Sequence, residues 1–376
     1  MALRIVLVGA GHAHLHVLGR AKTVRDAGIA LHLISPATFL YSGLATGALS
    51  GALDLDIGQI DVAALAAAQG VRHDLDRVSG VDLAGRLARL AGGGTVDFDI
   101  ISFNVGSTVD DPRGLRAGPG VWPVKPLASL LRLRGVAEAA IATSGRCPAI
   151  VIAGAGQTAF EVAAALCGLC ERRGVGSHIT VVGPEVDAAW APERAARRLL
   201  GTLRARGVEF RADRVVARGS DACELASGLS LACEALVLAT GLVAADLMRT
   251  LDLPTDEDGR LRVSSRLQAL GNERVFPVGD CGVIDDAPRH CVGVFGVRAA
   301  PIFVQNLVAF AKGERSAAYR PQRRWLSIMD LGDGTGLALR GRIWWLGRTA
   351  LRLKRWLDLG FVRRAHRGTA PIKRGV

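Results

Sequence analysis

The chain has 376 residues, too many for one compact core and enough for two or three domains. Its hydrophobic content, 49%, is ordinary for a globular protein and excludes an extended disordered chain. The formal charge of +12 is uneven: Arg340 to Val376 holds eleven Lys/Arg against Asp358 alone, so an anionic partner is expected at that end.

In chain order, Met1-Ala2-Leu3-Arg4 runs straight into the apolar run Ile5-Val6-Leu7-Val8, without the pattern of a secretory signal. Gly9-Ala10-Gly11-His12-Ala13-His14 follows and opens a helix. Ala30 to Ile34 is a second strand, completing a strand–helix–strand unit. A helix over Asp54 to Ala68 and a meander over Leu75–Asp82 and Arg86–Leu90 come next. Strand Asp99–Phe103 ends in Asn104-Val105-Gly106-Ser107, and a Pro/Gly-rich stretch from Asp110 to Pro126 reads as a domain crossing. After a helix from Leu127 to Thr143, the pattern repeats. Ala149-Ile150-Val151-Ile152 leads into Gly154-Ala155-Gly156-Gln157-Thr158-Ala159, then helix, then strand His178–Val182. A helix covers Pro192–Arg206, a strand ends at Thr240-Gly241, another ends at Gly279-Asp280, and Cys291–Lys312 is largely helical. The two halves echo one another at the scale of a domain. No apolar stretch stands out as a membrane span, the longest candidate, Ala235 to Met248, being interrupted.

Two glycine turns, 145 residues apart and each between strand and helix, read as two dinucleotide cradles. In each, the first glycine permits the bend and the second lets backbone approach a pyrophosphate. The helix start then supplies N–H donors and partial positive charge. Gly9, Gly11, Gly154 and Gly156 fit, and Ala159 is a tolerated third position; His14 is bulky there. The ribose-binding acid is missing, Ser35 standing in the first site and Gly183 in the second. NADH and NADPH are therefore expected to be poorly discriminated. His12, His14 and His16 read as imidazoles packed near a pyrophosphate and donating to it, not as a metal site. Seven cysteines without a secretory signal imply reduced thiols and a cytoplasmic setting; Cys167 and Cys170 read as core thiols. A helix over Ile343–Leu357 is expected, with an apolar stripe of Leu346, Ala350, Leu353 and Leu357. Arg348, Arg352 and Arg355 stand opposite, and Trp345 and Trp356 lie between the faces: the pattern of an interfacial helix on an anionic membrane, or else of an ordinary amphipathic helix packed on its own protein with a solvated arginine face.

On these residues the chain resembles the two-dinucleotide-binding flavoproteins of the pyridine nucleotide–disulfide oxidoreductase superfamily. The branch it resembles is similar to type II NADH dehydrogenases, and closer still to the flavoprotein module fused to selenide, water dikinase. The resemblance is carried by Gly9 to His14, Leu33-Ile34-Ser35-Pro36 with Tyr41-Ser42-Gly43, Asn104 to Ser107, Val124-Lys125-Pro126 and Val278-Gly279-Asp280-Cys281. It implies an α/β fold of two Rossmann-like domains, each with an antiparallel meander, plus a C-terminal amphipathic helical tail. The implied boundaries are 1–110 and 242–315 for the FAD domain, 111–241 for the NAD(P)H domain and 316–376 for the tail. FAD would be held by Gly9, Gly11, His12, His14, Ser35, Ser42, Gly43, Asn104, Gly106, Gly279 and Asp280. NAD(P)H would lie over Gly154, Gly156, Ala159, Glu161 and Gly241. Lys125 would stabilise the reduced ring and Glu161 would face the nicotinamide. The implied activity is an FAD-dependent NAD(P)H dehydrogenase passing electrons to a quinone-like acceptor, peripheral on the inner face of the cytoplasmic membrane. A soluble sulfur, selenium or protein acceptor, a sulfide:quinone oxidoreductase-like activity and a non-enzymatic redox-sensing role are the alternatives. Nucleic acid is disfavoured as a partner, and a homodimer is compatible with the sequence.

Overall fold

The computed structural model describes residues 2–366. Strand β1 (Leu3–Val8) passes through the first glycine turn into α1 (His12–Leu18), and β2 (Ile29–Ile34) returns parallel to β1. After α2 (Ala45–Leu49), β3 (Arg72–Asp74) and β4 (Ile100–Phe103) join the same sheet. The second unit runs β5 (Val121–Pro123), α3 (Ala128–Ser144), β6 (Ile150–Ala153), α4 (Gln157–Arg172), β7 (Ile179–Gly183), α5 (Glu193–Ala205), β8 (Val208–Ala212) and β9 (Ala235–Leu238). Its strands form a parallel sheet in the order β5-β9-β6-β7-β8. The chain then returns to the first unit, where β10 (Val275–Pro277) completes a parallel sheet of order β10-β4-β1-β2-β3. Strands covered on both faces must be apolar throughout, and Ile5, Val6, Leu7 and Ile150, Val151, Ile152 are each at most 2% exposed. Each sheet carries a three-stranded antiparallel meander, Val78–Asp82 with Leu87–Leu90 and Thr95–Asp97, and Val215–Arg218 with Ala222–Leu225 and Ser230–Ala232. The architecture is the doubled Rossmann-like α/β fold anticipated above.

Helix α6 (Gly293–Lys312) packs along α1. The sequence reads as helical here, but at 20 residues the helix is also long and apolar enough to cross a membrane by length and composition, which the reading of Ala235–Met248 as the longest candidate missed. Its apolarity has a core use: Ala300, Phe303 and Leu307 are buried in the first unit, and full burial of a Phe side chain contributes about 1.5–3 kcal/mol. Asn306, also buried, bonds the carbonyls of Arg266 and Ala317.

Three boundaries differ from the sequence reading. The helix anticipated over 54–68 is confined to Val62–Ala68. Asp61 caps it by accepting from Ala64 N at 2.8 Å, and Gln59–Asp61 pairs instead with Thr38–Leu40. The strand anticipated from Leu75 begins at Val78. The tail is not helical from Ile343. Strands β11 (Ser327–Asp330), β12 (Gly336–Arg340) and β13 (Ile343–Gly347) form an antiparallel sheet, and only then does α7 (Arg348–His366) begin. Gly341, at φ +61°, turns the hairpin, and the run Ile343-Trp344-Trp345 has the β-branched and aromatic side chains that suit a strand. The tail residues 367–376 lie outside the described residues.

Candidate functional site

Gly9 has φ +84°, and a Cβ there would lie 2.7 Å from the Asn104 carbonyl oxygen, so the first turn is pressed onto the end of β4. Asn104 pins this turn. Its Oδ1 accepts from Ala13 N and His14 N at 3.0 and 3.2 Å, and its Nδ2 donates to Val278 O at 2.9 Å. It thereby satisfies two orphan donors of the α1 start.

His14 does not face the cavity. Its Nδ1 donates to Gly9 O at 2.6 Å and its Nε2 lies 2.8 Å from Ser102 Oγ. The imidazole, odd by the general fingerprint, braces the turn from behind, which corrects the expectation of a hydrogen bond to pyrophosphate. His12 does line the cavity, ringed by Phe39, Tyr41 and Phe361 at 5.3 to 5.5 Å between centroids. Burial pushes the pKa of His12, His14 and His16 down to about 4 each, so all three are neutral at pH 7. Among the described residues no three His, Cys, Asp or Glu side chains converge as a metal site.

A cavity of about 1010 Å³ runs from this turn across both units. It is lined by Gly9, Gly11, His12, Ser35, Ser42, Gly43, Asn104, Gly106, Lys125, Gly279 and Asp280, and at its other end by Gln157, Thr158 and Glu161 of α4. Ser35 donates to Pro36 O at 3.0 Å, and His73 Nε2 lies 3.0 Å from its hydroxyl. Toward a ribose it therefore offers lone pairs only. Lys125 donates to Asp280 Oδ2 at 2.8 Å and to Ser107 Oγ at 2.6 Å, while Ser107 Oγ donates to the same Asp280 oxygen at 2.7 Å. Burial alone would push the Asp280 carboxyl up, but Lys125 and Ser107 hold it below the usual carboxylate range.

At the second turn Gly154 has φ +120°, and a Cβ would lie 2.1 Å from Ala239 O, so the turn is pressed onto β9. Gly156 caps α4, and a Cβ there would meet nothing within 4 Å. Ala159 is buried between helix and sheet, and Trp190 Nε1 donates to Ala155 O at 3.2 Å. Gly241 follows β9 with φ +124°. Gly154, Gly156 and Gly241 do not line the large cavity.

Glu161 Oε1 accepts from Thr46 Oγ1 and from Asp330 N, each at 3.0 Å. Burial pushes this carboxyl up, and the Lys354 ammonium pulls it back only in part. Lys354 comes from α7, lines the cavity, and donates to Asp358 Oδ2 at 3.1 Å; Tyr41 OH donates to Asp358 Oδ1 at 2.9 Å. Sequence reasoning missed Tyr41, Thr46, Lys354 and Asp358 as parts of the site. Tyr41 stands within a quoted motif, but no local pattern signals its pairing with Asp358, 317 residues away. Ser107 and His73 were also missed, although Ser107 stands within a quoted motif.

The donor set fits FAD. An open glycine turn with a helix start behind it suits the pyrophosphate, and Asp280 beyond β10 suits the ribitol hydroxyls. The cavity volume sits at the upper end of the roughly 300–1,000 Å³ usual for ligand pockets.

Residues 3–295 match the pyridine nucleotide-disulphide oxidoreductase family, and the chain belongs to that family, a family of FAD- and NAD(P)H-using enzymes. Among solved structures it is similar to a sulfide:quinone oxidoreductase from Aquifex aeolicus. The identity is 15% and the TM-score 0.81, over 98% of this chain and 93% of that one. It is also similar to an NAD-dependent persulfide reductase from A. fulgidus, with 17% identity and TM-score 0.74, over 90% of this chain and 64% of that one. A ferredoxin reductase from Rhodopseudomonas palustris matches at 16% identity and TM-score 0.73, over 95% of both chains. No curated protein matches the sequence significantly. The protein is a flavin-dependent oxidoreductase with FAD and NAD(P)H as its cofactors.

Proposed function

We propose that the protein is an NAD(P)H:acceptor oxidoreductase that reduces a quinone-like acceptor at an anionic membrane surface, in the manner of type II NADH dehydrogenases. The observation that carries this reading is the single cavity joining the first glycine turn to the first two turns of α4. It lets a flavin held by one unit meet a nicotinamide held by the other. The bound flavin supplies the two-electron chemistry. Gly9, Gly11 and the start of α1 bind its pyrophosphate, Asp280 accepts from its ribitol, and Lys125 keeps Asp280 ionised. Gly154, Gly156 and the α4 start bind the pyridine nucleotide, whose nicotinamide end reaches in past Gln157 and Thr158. Glu161, held by Thr46 and the tail, faces the same space and orients what lies there.

The cysteines bear on the acceptor. Burial pushes the thiols of Cys281 and Cys291 up to about 12 and about 11, so neither is a thiolate nucleophile at pH 7. Cys281 is further committed between Val105 N and Gly106 O. This disfavours an acceptor reduced through a cysteine–sulfur adduct.

The tail favours a membrane. On α7, Trp356 is 73% exposed, with Arg352 and Arg363 exposed on the same side of the helix, and Leu357 is exposed beside them. In β13, Ile343 is 68% exposed. The outward face is therefore basic with a central Trp, and it differs from the leucine stripe read from sequence. Leu346 and Trp345 belong to β13, and Arg355 turns inward to within 3.9 Å of Asp330. Anaerobic addition of NADH or NADPH should bleach the bound flavin, and a ubiquinone analogue should restore its colour faster than polysulfide or a ferredoxin. Faster recovery with either of the latter would replace the quinone reading.

A further inference from the structure

The tail is grafted onto two cores at once. Met329, Leu331, Leu337 and Leu339, from the β11–β12 hairpin, belong to the hydrophobic core of the second unit. Val362 belongs to the core of the first, with Leu359, Phe361 and Ala365 packed against it. Polar ties repeat the division. Gln157 Nε2, at the start of α4, donates to Ser327 Oγ at 2.6 Å, and Arg206 and Arg172 donate to the carbonyls of Leu331 and Gly332. On the other side Phe361 stacks on Tyr41 at 4.7 Å, and Tyr41 bonds Asp358. The strap passes from one unit to the other along α7, whose first turns lie on β11 and β12 at Leu351 and Arg355 and whose last turns pack on the first unit.

At the crossing lies a polar cluster drawn from all three parts: Tyr41 and Thr46 from the first unit, Glu161 from the second, and Asp330, Lys354 and Asp358 from the tail. The Lys354 and Asp358 side chains are each 12% exposed. An ion pair this far from water adds little stability over an apolar pair of the same size. What such a pair does supply is a requirement for one geometry, since any slip leaves a charge unpaired. Here that requirement falls on the seam beside the cavity. The carboxylates of Glu161, Asp358 and Asp330 all act on the Lys354 ammonium, from the second unit and two elements of the tail.

We propose that Lys354 and Asp358 are positioning residues that fix the start of α4 against the Tyr41–Thr46 segment, so that the two nucleotide sites face one another at a preset separation. The inference rests on the proposed hydride transfer between those sites, a step for which an error of 1 Å costs on the order of 100-fold in rate. The seam has a second fastening, Arg134 to the carbonyls of Ala48 and Leu53, which keeps the units together when the strap is loosened.

The test uses the full-length FAD-loaded protein carrying Lys354→Met, Tyr41→Phe, or two glycines inserted after Gly347. The limiting rate of flavin reduction by NADH should fall tenfold or more. The NADH concentration giving half that rate should stay within twofold, and flavin content should be unchanged. Lys354→Arg should restore most of the rate. Hydrogen exchange on the same variants without nucleotide should quicken in Ala45–Leu49 and at Gln157–Glu161, and stay unchanged in β1 and β6. If Lys354→Met does not fold, the hydroxyl deletion and the insertion decide. Wild-type rates and exchange in both would overturn the proposal, as would exchange quickened evenly through both sheets. A wild-type protein whose flavin NADH does not reduce would sink the hydride reading by itself, while the exchange pattern still tests the seam.

Discussion

A Cβ on Gly11 would lie 2.6 Å from the Asn104 side chain, which is itself fixed to the start of α1 and to Val278. No flexible end can move aside, because the amide oxygen holds two backbone donors. Gly11→Ala is therefore expected to push α1 away from β4 and open the pyrophosphate turn. The flavin bound per polypeptide after purification should drop at least tenfold while the protein stays folded by circular dichroism. Full retention of colour would show that the turn does not hold FAD.

Gly156 presents the contrasting case. A Cβ there meets no protein atom within 4 Å, so Gly156→Asp is expected to be accommodated, with its carboxylate at the helix start where the nucleotide phosphates are proposed to bind. Bleaching by NADH should need at least 30-fold more NADH, with FAD content and melting temperature unchanged. Normal reduction would move the pyridine nucleotide off α4.

The buried histidines predict an acid-sensitive first unit. His12, His14 and His16 each have a folded-state pKa near 4, against about 6.5 unfolded. The stability this gives is complete above pH 6.5 and is lost as pH falls toward 4, because the unfolded chain takes up protons that the folded chain refuses. Each contributes a slope of up to about 1.4 kcal/mol per pH unit in that window. Urea unfolding between pH 7 and 5 should show the fall, and His14→Asn should remove close to one proton from the slope. A flat profile would mean that the imidazoles titrate in the fold as they do in the unfolded chain.

Membrane association should depend on the outward face of α7 and leave its inward face intact. Trp356→Glu should reduce co-sedimentation with vesicles containing anionic phosphatidylglycerol by fivefold or more, and raised salt should weaken what remains. Flavin content and NADH-driven bleaching in solution should not change. Equal sedimentation of the variant and the parent would assign the exposed Trp another role.

Much of this was readable from local pattern. Both glycine turns and the apolar parallel strands around them depend on residues within about 30 positions of one another, which is the range over which propensity and periodicity act. The tail shows where that range ends. A 3.6-residue stripe could be drawn through Leu346, Ala350, Leu353 and Leu357, yet a turn at Gly341 and pairing with β12 made the first part a strand and shifted the helix. His14 shows it differently: its bulk in the turn was visible, but not that the ring faces backward onto Gly9 and Ser102.

The sequence by itself determined the two Rossmann-like units, their order and the residues of each glycine turn, because each is a local device completed within one strand–helix–strand stretch. Only the tertiary structure decided which charges share a site. Tyr41, Glu161, Lys354 and Asp358 have no common period or motif; they meet because the strap from β11 to α7 is packed into both cores, and burial beside the cavity leaves protein groups to satisfy them, Thr46 and the Asp330 N–H for Glu161, Tyr41 and Lys354 for Asp358.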